Sequence, residues 1–71
     1  MRVVQFSNYK FGVKVGKFSY LDMDGKHAWT KPEYVKEYCM ADTFWRAEDA
    51  MKLRIAIDRE NRPAKVIRWF K

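Results

Sequence analysis

Tyr9-Lys10-Phe11-Gly12-Val13-Lys14-Val15 decides the fold. Its odd positions are apolar and its even positions are lysine or glycine, the period of two that a strand shows when one face is buried. Toward the N-terminus, Arg2 to Phe6 is short and rich in β-formers. Ser7-Asn8 separates the two runs, and both side chains favour a turn by bonding to nearby backbone. Toward the C-terminus, Gly16 can bend the chain into a further strand, Lys17 to Asp22. Asp24-Gly25 then reads as a type I′ hairpin turn, which takes positive φ at both central residues. His27 to Trp29 is the returning strand, so the chain opens on a meander of three to four short strands.

At Thr30 the pattern changes from strand to helix. Thr30-Lys31-Pro32-Glu33 fits a capping box, in which the Thr hydroxyl accepts from a backbone N–H three residues on and Glu33 reaches back. Pro32 is tolerated there because its missing N–H has no helical partner. A short helix follows through Tyr34, Val35, Tyr38 and Cys39. Asp42 or Thr43 caps a second, longer helix running to about Asn61, with Phe44, Ala47, Ala50, Met51 and Ile55 on one face. Glu48 and Lys52 form a favourable i, i+4 pair. Asn61 and Pro63 predict its end, and Lys65 to Phe70 reads as a final strand. An edge beside Arg2 to Phe6, or beside the meander, would give that strand a partner. The expected fold is a single α+β domain over residues 1–71. It is a small antiparallel sheet, the meander plus a C-terminal strand, packed on one short and one longer helix.

A chain of 71 residues has little room for both a core and a catalytic cleft. It has no apolar run approaching a membrane span and no signal-peptide pattern at its start. Cys39 is the one cysteine. It cannot form an internal disulfide, so a reducing cytoplasm is the expected setting.

Charge is the most informative bulk property. Fifteen lysines and arginines face nine acids, for a net charge of +6. Arg2, Lys10, Lys14 and Lys17 precede the first acid, Asp22; Arg62, Lys65, Arg68 and Lys71 follow the last, Glu60. If a terminal strand joins the sheet, these two acid-free ends pool their cations on one surface. Summed charge of that kind steers an anionic or acidic partner. Lys10, Lys14, Lys17, Lys65 and Arg68 would meet phosphates, with Tyr9, Phe18 and Trp69 placed to stack on unpaired bases. The plainer expectation for any one aromatic is burial, with Phe18, Trp69 and Phe70 in the core beneath cationic stems. Trp45 faces away from the apolar side of the long helix. It is either a protein-interface anchor or covered by the preceding short helix.

Catalytic and metal chemistry find little support. Asp22, Asp24 and Glu33 have the outer spacing of a calcium loop, but Lys26 takes a ligand position and His27 stands where that loop requires glycine. His27 and Cys39 are two soft ligands, too few for zinc, and a lone cysteine is ordinarily a buried thiol. Glu48 and Asp49 are adjacent on a helix and diverge, which suits no acid–base pair. Gly12 and Gly16 lack phosphate-loop spacing. The long helix has no basic membrane-surface face. The expectation is a protein without an active site, cofactor or metal.

Lys10-Phe11-Gly12-Val13-Lys14, Tyr20-Leu21-Asp22, Trp29 and Tyr38-Cys39 together resemble small accessory proteins of tailed bacteriophages over roughly residues 10–39. Members often carry a Trp-Trp pair where this chain has Ala28-Trp29. The resemblance implies a bacterial cytoplasm and a class whose members commonly bind and block host factors; it assigns no residue a role. Two partners follow from the sequence. The leading one, by a narrow margin, is nucleic acid, single-stranded by preference, on the basic sheet. The other is a host protein with an acidic surface, bound through Trp45 or Trp69. A small enzyme ranks last.

Overall fold

A computed structural model describes the backbone of residues 1–69 and the side chains of residues 1–60. Four strands come first: β1 (Arg2–Ser7), β2 (Lys10–Lys14), β3 (Tyr20–Leu21) and β4 (Ala28–Trp29). They pair antiparallel in the order β1-β2-β3-β4, the expected meander. Two helices follow, α1 (Pro32–Tyr38) and α2 (Phe44–Trp69), completing an α+β domain. β3 is shorter than expected because Gly16 to Phe18 are used in the turn that the Val15 and Gly16 N–H groups close by donating to the Ser19 carbonyl.

Residues directly opposite in an antiparallel ladder share a face. Val3, Val13, Leu21 and Ala28 therefore point one way, and Arg2, Lys14, Tyr20 and Trp29 the other. The first face carries the core. Val13 and Leu21 are fully buried against Ala47 and Ala50 of α2, with Ala41 beside them. The alanines let α2 approach β1 and β2 closely, and burying Leu21 contributes roughly 1.5–3 kcal/mol. Past the end of β3 the slot beside β2 is filled by the α1–α2 connection: Phe11 and Ala41 exchange both backbone hydrogen bonds, at 2.8 and 2.7 Å.

The turns and caps follow local chemistry, with two departures from expectation. Gly25 has φ +76°, but Asp24 does not share the positive φ that a type I′ turn needs. Instead the Gly25 N–H donates to the Asp22 carbonyl and the Asp22 N–H to that of His27, giving a longer loop with a single left-handed residue. A Cβ on Gly25 would lie 2.9 Å from the Leu53 Cβ, so the loop also lies tightly on α2. The Thr30 capping box does not form. Lys31 is the N-cap, no side chain caps α1, and Pro32 occupies the first turn. Pro at that position starts a helix without help because its φ is already set. Thr43 does cap α2, its hydroxyl accepting from the Arg46 N–H at 3.2 Å. Asp42 adds an ion pair to Arg46 at 2.8 Å, and that hydrogen bond holds its carboxyl below the usual carboxylate range. Glu48 and Lys52 pair at 3.2 Å as their spacing predicts.

The C-terminal strand is overturned. The chain continues as α2 through Trp69, so the backbone of Lys65 to Trp69 is helical and Phe70 lies outside the described residues. Pro63 removes one i→i−4 hydrogen bond but leaves the rest of the ladder to be made. Ala64, Lys65 and Arg68 are good helix formers. Both alternate sets of 65–70 mix charge with bulk, so neither offers a clean face to a sheet. The two acid-free ends are therefore not neighbouring strands.

Candidate protein-binding groove

The second face of the sheet is partly open, because its one covering helix, α1, is only seven residues long. α1 lies on this side, anchored over β4. Trp29 lies against Tyr34 at 5.0 Å and Tyr38 at 5.8 Å between ring centroids, while its Nε1–H donates to the Asp22 carboxylate at 3.0 Å. The far end of α1 meets β2 at Gly12. A Cβ there would come within 2.8 Å of the Cys39 carbonyl oxygen and 2.7 Å of the Phe6 ring. Glycine is required at this position for closeness, since its φ is ordinary. Phe6 thus swings over β2 and packs on Tyr20, ring centroids 5.4 Å apart.

Between α1 and the β2–β3 turn runs a groove of about 870 Å³. Phe6 and Tyr20 line it from the sheet, Phe18 from the turn, and Val35 and Met40 from α1 and its exit. Lys17 and Lys36 stand at its rim, and no carboxylate lines it. The acids of α1 do not intrude, because Glu33 and Glu37 lie on other sides of that helix from Pro32, Val35 and Lys36. Lys17 holds its Nζ 5.6 Å from the Phe18 ring centroid, and Phe18 itself is 72% exposed. A phenylalanine so placed is a large apolar surface left in water beside a formed cavity. Arg2 and Lys14, cross-strand partners, lie on the same face of the sheet.

The residues singled out from sequence are divided by the fold. Lys14, Lys17 and Phe18 belong to the open face and its turn; Lys10 shares that face by alternation but sits with Tyr9, which is 79% exposed, at the opposite end of β2. Lys65, Arg68 and Trp69 have helical backbone in α2, and their side chains lie outside the described residues. Phe18 is not core, contrary to the plainer expectation for an aromatic. Trp45 is also left uncovered, at 73% exposed, because α1 packs on the far side of the sheet from α2. Sequence reasoning missed Phe6, Val35, Lys36 and Met40. They converge from three separate segments, and the signal that could have found them is Gly12, the position that admits Phe6 and the end of α1.

The groups capable of chemistry have structural neighbours. Cys39 is fully buried, its thiol donating to the Tyr20 carbonyl at 3.5 Å. Burial, and secondarily the nearby charge of Asp22, push that thiol up to about 11. Asp24 accepts from the Lys26 N–H at 2.8 Å and so stabilises its own loop. Among the described residues no group of three or more His, Cys, Asp or Glu side chains is placed to hold a metal ion. Among the same residues no helix is long and apolar enough to cross a membrane. Compared with protein-family models, curated proteins and solved structures, the chain matches none.

Proposed function

We propose that this chain is a non-catalytic binding protein that engages another protein through the groove between α1 and the β2–β3 turn. The observation that carries the reading is the lining itself: exposed Phe18 with Phe6, Tyr20, Val35 and Met40, a rim of Lys17 and Lys36, and no acid. Apolar concavities with a few charged groups at the edge suit anchor side chains, and a rim of one sign selects a partner of the other. The resemblance in the first half of the chain supports a bacterial host protein as the target, with binding that blocks it. Trp45, exposed on α2 at the other face of the sheet, is a separate candidate contact and not part of this groove.

Single-stranded nucleic acid is the second reading. Arg2 and Lys14 beside Tyr20, with Lys17 and Phe18 next to them, favour it. It ranks lower because Tyr9 and Phe18, the two most exposed rings of the strand region, stand at opposite ends of β2. The five-residue strand between them is about 17 Å long, so they offer no continuous stacking surface. Capture from nuclease-treated bacterial lysate separates the two. The protein reading expects a stoichiometric partner retained by the parent chain and by Tyr9→Asp, and lost with Phe18→Asp and Val35→Asp. Binding that disappears with nuclease, or that ignores both groove variants, refutes it.

A further inference from the structure

Resting on the groove reading, we infer that the occupant is an amphipathic α-helix with acidic flanks, docked alongside α1 on the open face of the sheet. Backbone hydrogen bonding favours a helix over a strand here. The groove floor is the face of paired strands: Tyr20 comes from β3, which has β2 on one side and β4 on the other. An extended segment laid on that face finds no sheet edge there to pair with, so the N–H and C=O groups it turns toward the Phe6, Phe18 and Tyr20 rings would lack backbone partners. A helix satisfies its backbone internally and presents only side chains.

The width of the sheet also suits a helix. Strands lie about 4.8 Å apart, so four of them span about 14 Å between outer axes. Packed helices lie 8–10 Å apart. Such a sheet holds about two helices side by side on one face. α1, seven residues long, leans on β4, which leaves the β1 and β2 side of this face, where the Phe6 ring covers Gly12, to a second helix packed on that ring. Both Val4 and Lys14 are half-buried rather than covered. The opposite face is already closed over β1 and β2 by α2. A docked helix would therefore complete a three-layer arrangement.

Charge selects the flanks of that helix. Lys17 and Lys36 at the rim, with Arg2 and Lys14 on the same face, would meet carboxylates on the flanks of the incoming helix. Phe18 and Met40 supply its apolar stripe with contact, and a flexible Met side chain adapts to different shapes.

The test is an unbiased one. A yeast-displayed library of random peptides of about 14 residues, long enough for about 21 Å of helix, is sorted against the full chain. Sorting is repeated against Phe18→Asp and against the Lys17→Glu/Lys36→Glu double variant, each checked for an unchanged circular dichroism spectrum. The expected peptides are net acidic, with apolar residues at i, i+3, i+4 and i+7. They lose binding when a central residue is replaced by proline. The charge-reversed double variant binds them about tenfold more weakly or worse, about 1.4 kcal/mol. Groove-dependent peptides that alternate every second residue, or that tolerate the proline, overturn the helical inference and leave the groove reading in place. Peptides whose binding ignores Phe18→Asp, or an oligothymidine that displaces every selected peptide, overturn the groove reading as well.

Discussion

The two faces of the sheet are built from different kinds of residue. Toward α2 the buried contacts are Val13, Leu21, Ala41, Ala47 and Ala50, small or medium side chains, with Phe11 and Met51 half-buried at their margin. Toward α1 they are Phe6, Tyr20, Trp29, Tyr34 and Tyr38, large rings that cover one another and leave space between them. Small residues pack to the density of a crystal and hold the fold. A short helix over large rings closes only part of its face. The lesson is a division of labour in which stability comes mainly from one side and recognition from the other.

Substitutions can break that comparison, beginning with the greatest loss expected. Leu21→Ala removes the largest fully buried side chain on the closed face and is expected to destabilise the protein by about 2–5 kcal/mol, read from urea denaturation. A comparable loss from Phe18→Ala would contradict the division. Gly12→Ala should cost about 1–3 kcal/mol, because its methyl group meets the backbone oxygen of Cys39 as well as the Phe6 ring. It should also abolish groove binding by levering α1 away from β2, which a peptide titration would detect. Thr43→Ala removes the α2 cap and should cost about 1 kcal/mol without touching the groove. Phe18→Ala should change stability by no more than about 0.5 kcal/mol while eliminating partner binding.

Cys39 sharpens the comparison through pH. Its folded pKa is raised, to about 11 from 9.0. The fold therefore favours the neutral thiol, and the stability linked to it is complete below pH 9.0 and is lost as pH rises toward 11. Cys39→Ala should lose less stability than the parent chain across that interval, measured by thermal melts at matched pH. Native protein should likewise resist thiol reagents at neutral pH and react at the rate at which it opens.

Much of the fold was legible because it rests on local patterns. The alternation of Tyr9 to Val15 specified β2. The apolar face of 44–55 specified the packing half of α2, and Thr43 marked its start. The C-terminal strand was misread because Pro63 looks like a stop, whereas proline removes one hydrogen bond from a ladder that good helix formers can continue. The groove was illegible for another reason. Its residues come from β1, the β2–β3 turn, β3 and α1, and no spacing rule links side chains brought together by a helix crossing a sheet. Of the residues proposed from charge, Lys10 and Lys14 share that face of β2 by alternation, while Lys17, in the turn that follows, lines the groove itself.

Asp22 bonds in four directions: backbone to Gly25 and His27, carboxylate to the Asp24 N–H at 3.4 Å and the Trp29 indole at 3.0 Å. The hairpin it closes rests on α2 through Gly25, and the indole it holds seats α1. That surface loop is consequently a poor place for an affinity tag or an insertion, since lengthening it would disturb both layers at once. The turn at Asn8-Tyr9, with its side chains in solvent, is where added residues would be carried without harm.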